Sequence, residues 1–151
     1  MFDTVEFRLT KSEYNGVGFL SEIPCYITDV SLHNYIYGDV VAGSLGNLNV
    51  SCSEYQIKIS GGSLCKWYLG DNLQTMGRKD TERAVEKLSD LLHLPMDRAQ
   101  VTRMDVGQNF MMRHPPKVYL NHLGALKGAD RLEEPNTLYY RKQGCELCFY
   151  D

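Results

Sequence analysis

Arg103 and Asp105 stand two residues apart in the stretch VTRMDVGQNFMM, residues 101 to 112, a spacing that places two strand side chains on one face. A guanidinium beside a carboxylate can be one of two things there. It can be an ion pair on an exposed sheet surface, contributing about 1 kcal/mol at most. Alternatively, Asp105 is a metal ligand or an acid/base group, with Arg103 holding it ionised and available to a phosphate. A charged residue in mid-strand resists full burial without a partner, so both alternatives expect an open face.

The elements around the pair must supply that face. A period of two over the stretch puts Met104, Val106, Phe110 and Met112 on one side, the predicted core face of a central strand. Val101, Arg103, Asp105, Gly107 and Asn109 fall on the other. Residues 2 to 9, FDTVEFRL, alternate in the same way: Val5, Phe7 and Leu9 face inward, Thr4, Glu6 and Arg8 outward. Residues 11 to 24, with Gly16, Gly18 and Pro24, read as a loop. Residues 25 to 41, rich in Tyr, Ile and Val, read as one or two strands.

From Gly43 to Gly70 the apolar phase shifts from even positions (Leu48, Val50, Cys52) to odd ones (Tyr55, Ile57, Ile59), which predicts a bulge or short turn near Ser53 and Glu54. Ser60-Gly61-Gly62-Ser63 has the composition of a hairpin turn and predicts a returning strand over Leu64 to Leu69. Asp80 is the expected N-cap of a helix reaching Leu92, since Ala84, Val85, Leu88, Leu91 and Leu92 recur at helical spacing and Pro95 stops it. Pro116 suits the first turn of a second helix running to about Leu126 and ended by Gly128. Residues 136 to 141 and 145 to 150 alternate about Lys142-Gln143-Gly144, a final hairpin. The order implies an α+β fold: a two-layer sandwich, its sheet mostly antiparallel, with two helices on one face and the opposite, polar face open. Arg103 and Asp105 belong on the open side.

The chain, 151 residues and 43% hydrophobic, has enough apolar content for one sizeable core, and a single domain is expected over 1–151. It has no apolar run of about 18 residues and no signal-like start, so it reads as cytoplasmic. Five cysteines, odd in number and irregularly spaced, suggest thiols more than a disulfide framework. Cys145 and Cys148 form a C-x-x-C without the second ligand pair that zinc needs. A net charge of -3 argues against a polyanionic partner, yet from Arg98 to Lys117 four basic residues stand against Asp105 alone.

Taken together, GGSLCKWYLGDN (61 to 72), RKDTERAVEKLSDLLHLP (78 to 95), VTRMDVGQNF (101 to 110), VYLNHLGALK (118 to 127) and LCFYD (147 to 151) resemble the phage and plasmid replication initiators of the gene II/X type. They are similar, more distantly, to plasmid rolling-circle initiators with a T-R-hydrophobic-D strand. The resemblance implies a site-specific nicking endonuclease. A tyrosine hydroxyl attacks an origin phosphodiester, leaving a free 3'-hydroxyl and a 5'-phosphotyrosine, while Mg2+ or Mn2+ on acidic residues polarises the phosphate.

Under this resemblance Asp105 is the metal ligand, and the partner is single-stranded or hairpin origin DNA, with host replication proteins as further partners. Arg103, Lys66, Trp67, Arg78 and Lys79 are the DNA-contacting candidates, the cations for phosphates and Trp67 for an unpaired base. The sequence departs from the wider group in having no His-hydrophobic-His pair. It also ends directly after an apolar FY, so a fragment of a longer initiator is expected, with the nucleophilic tyrosine beyond it and the fragment alone inactive. The alternatives are an origin-binding module without catalysis and an interaction domain with no nucleic-acid role.

Overall fold

The computed structural model describes the chain except residues Met1, Asn15, Val17, Asn72, Leu73, Thr75, Asn109 and Asp151, and the side chains of Phe2 and Asp3. Asn109, assigned above to the face of Arg103, therefore lies outside the described residues. Two compact units divide the chain, Met1–Asn109 and Phe110–Asp151, each with its own antiparallel sheet.

In the first unit the elements run β1 (Phe2–Thr10), α1 (Phe19–Glu22), β2 (Thr28–Tyr35), β3 (Gly38–Leu45), β4 (Leu48–Ser53), β5 (Gln56–Ser60), α2 (Leu64–Leu69), α3 (Arg78–Leu92) and β6 (Gln100–Val106). The sheet order is β2-β3-β4-β5-β1-β6. Strands β2 to β5 form a meander, and β1 closes against β5 with β6 on its far side. The predicted alternation of β1 holds: Val5, Phe7 and Leu9 are buried while Glu6 and Arg8 are not.

The phase change after Cys52 is a short turn. Ser53 Oγ accepts the N–H groups of Tyr55 and Gln56, both at 3.3 Å. The returning strand pairs Cys52 with Ile57 and Val50 with Ile59. Directly paired residues share a face, so even positions on β4 and odd ones on β5 bury together.

Helices lie on that apolar side. Leu64 and Cys65 of α2, Ala84, Leu88 and Leu92 of α3, and Phe19 of α1 join the buried strand residues in one core. The first turn of α3 is closed by Asp80, whose carboxylate accepts the Gly77 N–H at 3.1 Å. Gly77 is therefore the cap and Asp80 stands inside the first turn, so the helix begins about one turn earlier than expected from Asp80 as the cap. His93, in the left-handed region at φ 53°, ends the helix.

The expectation of a strand over Leu64 to Leu69 is overturned: this segment is α2. Gly61 and Gly62 both take positive φ, 61° and 70°, and turn the chain away from the sheet. Ser63 then caps the helix by accepting the Lys66 N–H at 3.2 Å, and Gly70 closes it in the left-handed region. In so short a segment apolar residues fit either period, and the caps decide. The expected loop over 11 to 24 likewise contains the single turn α1 and a helical turn at Lys11–Glu13.

Strand β6 also departs from its predicted place. It lies at the edge of the sheet rather than its centre, and its predicted core face stays in solvent: Met104, Val106, Phe110 and Met112 are all exposed. An edge strand has one neighbour, and no described helix of the first unit covers these side chains to the extent that the core of β1 and β5 is covered.

The second unit contains α4 (Pro116–Leu120), β7 (Asp130–Glu134), β8 (Thr137–Lys142) and β9 (Cys145–Tyr150), with β8 central. The hairpin β8–β9 matches the sequence reading, β7 is an addition to it, and the helix ends at Leu120, well short of Leu126. Its buried centre is small, Leu138 and Tyr140, and the Tyr140 hydroxyl donates to the Gly124 carbonyl. Among the described residues no helix is long and apolar enough to cross a membrane.

Candidate nucleic-acid interface

The helix-free face of the first unit's sheet is built from side chains that alternate with the core. Opposite Val5, Phe7 and Leu9 stand Glu6 and Arg8 of β1; opposite Ile57 and Ile59 stands Lys58 of β5. Across the β1–β6 pair the register is Val101 with Phe7, Arg103 with Glu6 and Met104 with Val5. Two steps on β6 thus match one on β1 between Val101 and Arg103, a bulge at Thr102, whose hydroxyl donates to the Glu6 carbonyl at 3.5 Å.

That bulge corrects the assignment of Val101. It lies with Phe7 on the helix side, while Arg103 lies with Glu6 on the open side, where Asp105 joins it. The bulge therefore re-aims the charged pair against an otherwise continuous alternation.

Arg103 grips Asp105 with two parallel bonds, Nε to Oδ1 at 2.9 Å and Nη2 to Oδ2 at 2.7 Å. The Asp105 side chain is 39% exposed and that of Arg103 59%, so the pair is at the surface and not beneath a helix. Beside it Lys58 Nζ pairs with Glu6 at 3.0 Å. Bidentate guanidinium–carboxylate bonding fixes the plane of the guanidinium, so this corner presents an oriented cation with its counter-charge.

A divalent ion is a harder fit. Mg2+ takes oxygen ligands in near-octahedral geometry, and both Asp105 oxygens already accept from Arg103. Among the described residues no three His, Cys, Asp or Glu side chains converge, so Asp105 alone does not make such a site.

The other predicted contact residues lie elsewhere. Lys66 and Trp67 belong to α2, not to a strand, and Arg78 and Lys79 to the first turn of α3; all four are in the helical layer, across the sheet from Arg103. Trp67 is half-buried and packs against the core. Lys87, which the sequence reading does not single out, lies 4.9 Å from the centre of its ring. The signal that could have found it is the four-residue spacing Lys79, Arg83, Lys87.

Tyr14, Tyr35, Tyr139 and Tyr140 offer little support for a nucleophilic role. Tyr35 projects from β2, at the opposite edge of the sheet from β6, roughly 24 Å away at five strand spacings. Burial and the Glu22 carboxylate it bonds at 2.9 Å hold the Tyr14 phenol above its ordinary value. In the second unit, partial desolvation and nearby Glu134 raise that of Tyr139. A nucleophilic phenol calls for the opposite shift. Tyr140 is buried, and Tyr150 is exposed.

Comparison with known proteins gives the family of the chain. A family model described as the N-terminal part of a phage replication-associated protein, Phage_CRI, matches residues 1–151. No curated protein and no solved structure matches the chain.

Proposed function

Since the chain belongs to the family of phage replication-associated protein N-terminal domains, we propose that the helix-free face meets origin DNA and that the whole protein starts rolling-circle replication by nicking it. The observation that carries this reading is the Arg103–Asp105 pair, bidentate and exposed, on a sheet face that no described helix of its unit covers.

Asp105 holds the Arg103 guanidinium by two bonds, so its plane is set before any phosphate arrives. Arg8, on the neighbouring strand, adds positive charge along the same face. In the nicking step a tyrosine oxygen bonds to phosphorus as the 3'-oxygen leaves with the electron pair and takes a proton from solvent, while the phenol proton passes to solvent or a base. The products are a 5'-phosphotyrosine and a free 3'-hydroxyl. The environments of Tyr14, Tyr139 and Tyr140 speak against those three as the nucleophile. In this reading a divalent ion takes its remaining ligands from elsewhere in the protein.

A second reading, an origin-binding module without chemistry of its own, is favoured by the fact that both Asp105 oxygens are occupied by Arg103. Nicking of supercoiled origin DNA by the full-length protein separates the two. The expected result is about tenfold slower nicking, or more, by Asp105→Ala with the fold retained in circular dichroism. Nicking at the wild-type rate by that variant removes Asp105 from the chemistry and leaves the binding module.

A further inference from the structure

We infer that the helical layer carries a second nucleic-acid surface, one that takes single-stranded DNA along α3 and α2, opposite the face that receives the origin. The inference rests on the reading above for the identity of the ligand, and on separate residues for its site.

Lys79, Arg83 and Lys87 recur every four residues along α3, a stripe with about 6 Å of rise per step. All three are exposed, and none takes part in an ion pair among the described residues. Like charges four apart weaken a helix, so the stripe opposes local stability. Of the four acidic residues on the same helix, Asp80 accepts the Gly77 N–H and Glu82 is engaged by Arg78 at 2.9 Å. Glu86 and Asp90 pair with no cation of the stripe.

At its far end the stripe meets aromatic surface. Lys87 Nζ lies over both Trp67 and Tyr68, 4.9 and 5.7 Å from the ring centres, and Lys66 precedes them, exposed, on α2. The rings are held in place: Trp67 packs against the core, and a Cβ on Gly46 would come within 3.1 Å of its Cδ1. Regularly spaced cations outside any ion pair, leading to half-exposed aromatic rings, are what an unpaired strand requires, the cations tracking phosphates and the rings stacking on bases. The open sheet face differs, since Lys58 and Arg103 each have a carboxylate partner there. Strand opening at an origin produces single-stranded DNA, so a surface of this chemistry has a ligand at the place where the protein works.

Trp67 is the sole tryptophan and reports directly on the site. Titration of the chain with oligothymidylate, which forms no hairpin, is expected to quench its fluorescence, with affinity falling as salt rises. In a chain carrying Lys79→Gln, Arg83→Gln and Lys87→Gln, three lost phosphate contacts reduce the slope of log K against log salt by about 2. Anisotropy of a labelled oligothymidylate gives the same isotherm independently of any change in the tryptophan baseline. An unchanged slope in the triple variant, or absence of quenching while a hairpin origin probe still binds, overturns the second surface and leaves the sheet-face reading standing. Failure of the wild-type chain to bind either probe overturns both.

Discussion

On one side of the six-stranded sheet Val5, Phe7, Leu9, Val50 and Ile59 disappear beneath helices, while on the other Glu6, Lys58, Arg103 and Asp105 remain at the surface and neutralise one another in pairs. Both sides come from the same strands, residue by residue. The covered side holds the fold together through apolar area removed from water. The open side contributes little to stability, because its ion pairs are solvated. Volume is therefore the constraint on the covered side, whereas charge placement on the open side is not limited by packing.

Three measurements test that contrast, beginning with the largest change. Leu88 is fully buried on α3, and Leu88→Ala is expected to lower unfolding free energy by about 2–5 kcal/mol in a denaturant titration. A loss under about 1 kcal/mol would mean that the helices do not seal the sheet. Asp105→Ala removes an exposed ion pair and is expected to change stability by about 1 kcal/mol or less, whatever it does to nicking. A much larger loss would make the pair a structural element and weaken its assignment to DNA. The smallest change belongs to Met104→Ser, on the helix side but at the exposed edge: within about 0.5 kcal/mol, as for other surface positions. A cost like that of Leu88→Ala would show that the edge is covered after all.

Much of this is legible in the residues. The alternation of β1, the turn after Ser53, the body of α3 and the β8–β9 hairpin all follow from periods of two and 3.6 with their turn residues. That Arg103 and Asp105 share one face follows from the same period of two. The segment over Leu64–Leu69 is ambiguous because Gly61-Gly62 suits a hairpin turn as well as a chain leaving its sheet, and a segment so short does not make a period decisive. The consequence for the site is substantial, since the structure moves Lys66 and Trp67 from a strand to the helical layer, where Lys87 completes their surroundings.

Alternation is a local property: consecutive Cβ atoms on a strand point to opposite faces whatever lies around them, and for that reason the sequence alone determined which side chains of β1, β4 and β5 share a face. It determined the family as well, through segments whose order carries the resemblance. Tertiary structure decided the rest. Met104 and Val106 alternate as well as Val5 and Phe7 do, but burial requires a partner brought from elsewhere in the chain, and β6 sits at the margin of the sheet. The bulge at Thr102, visible only once β6 is paired with β1, is what turns Arg103 away from Val101 and toward Glu6. Which apolar residues meet a covering layer, and which charges meet solvent, depends on contacts between distant segments, and no local period encodes them.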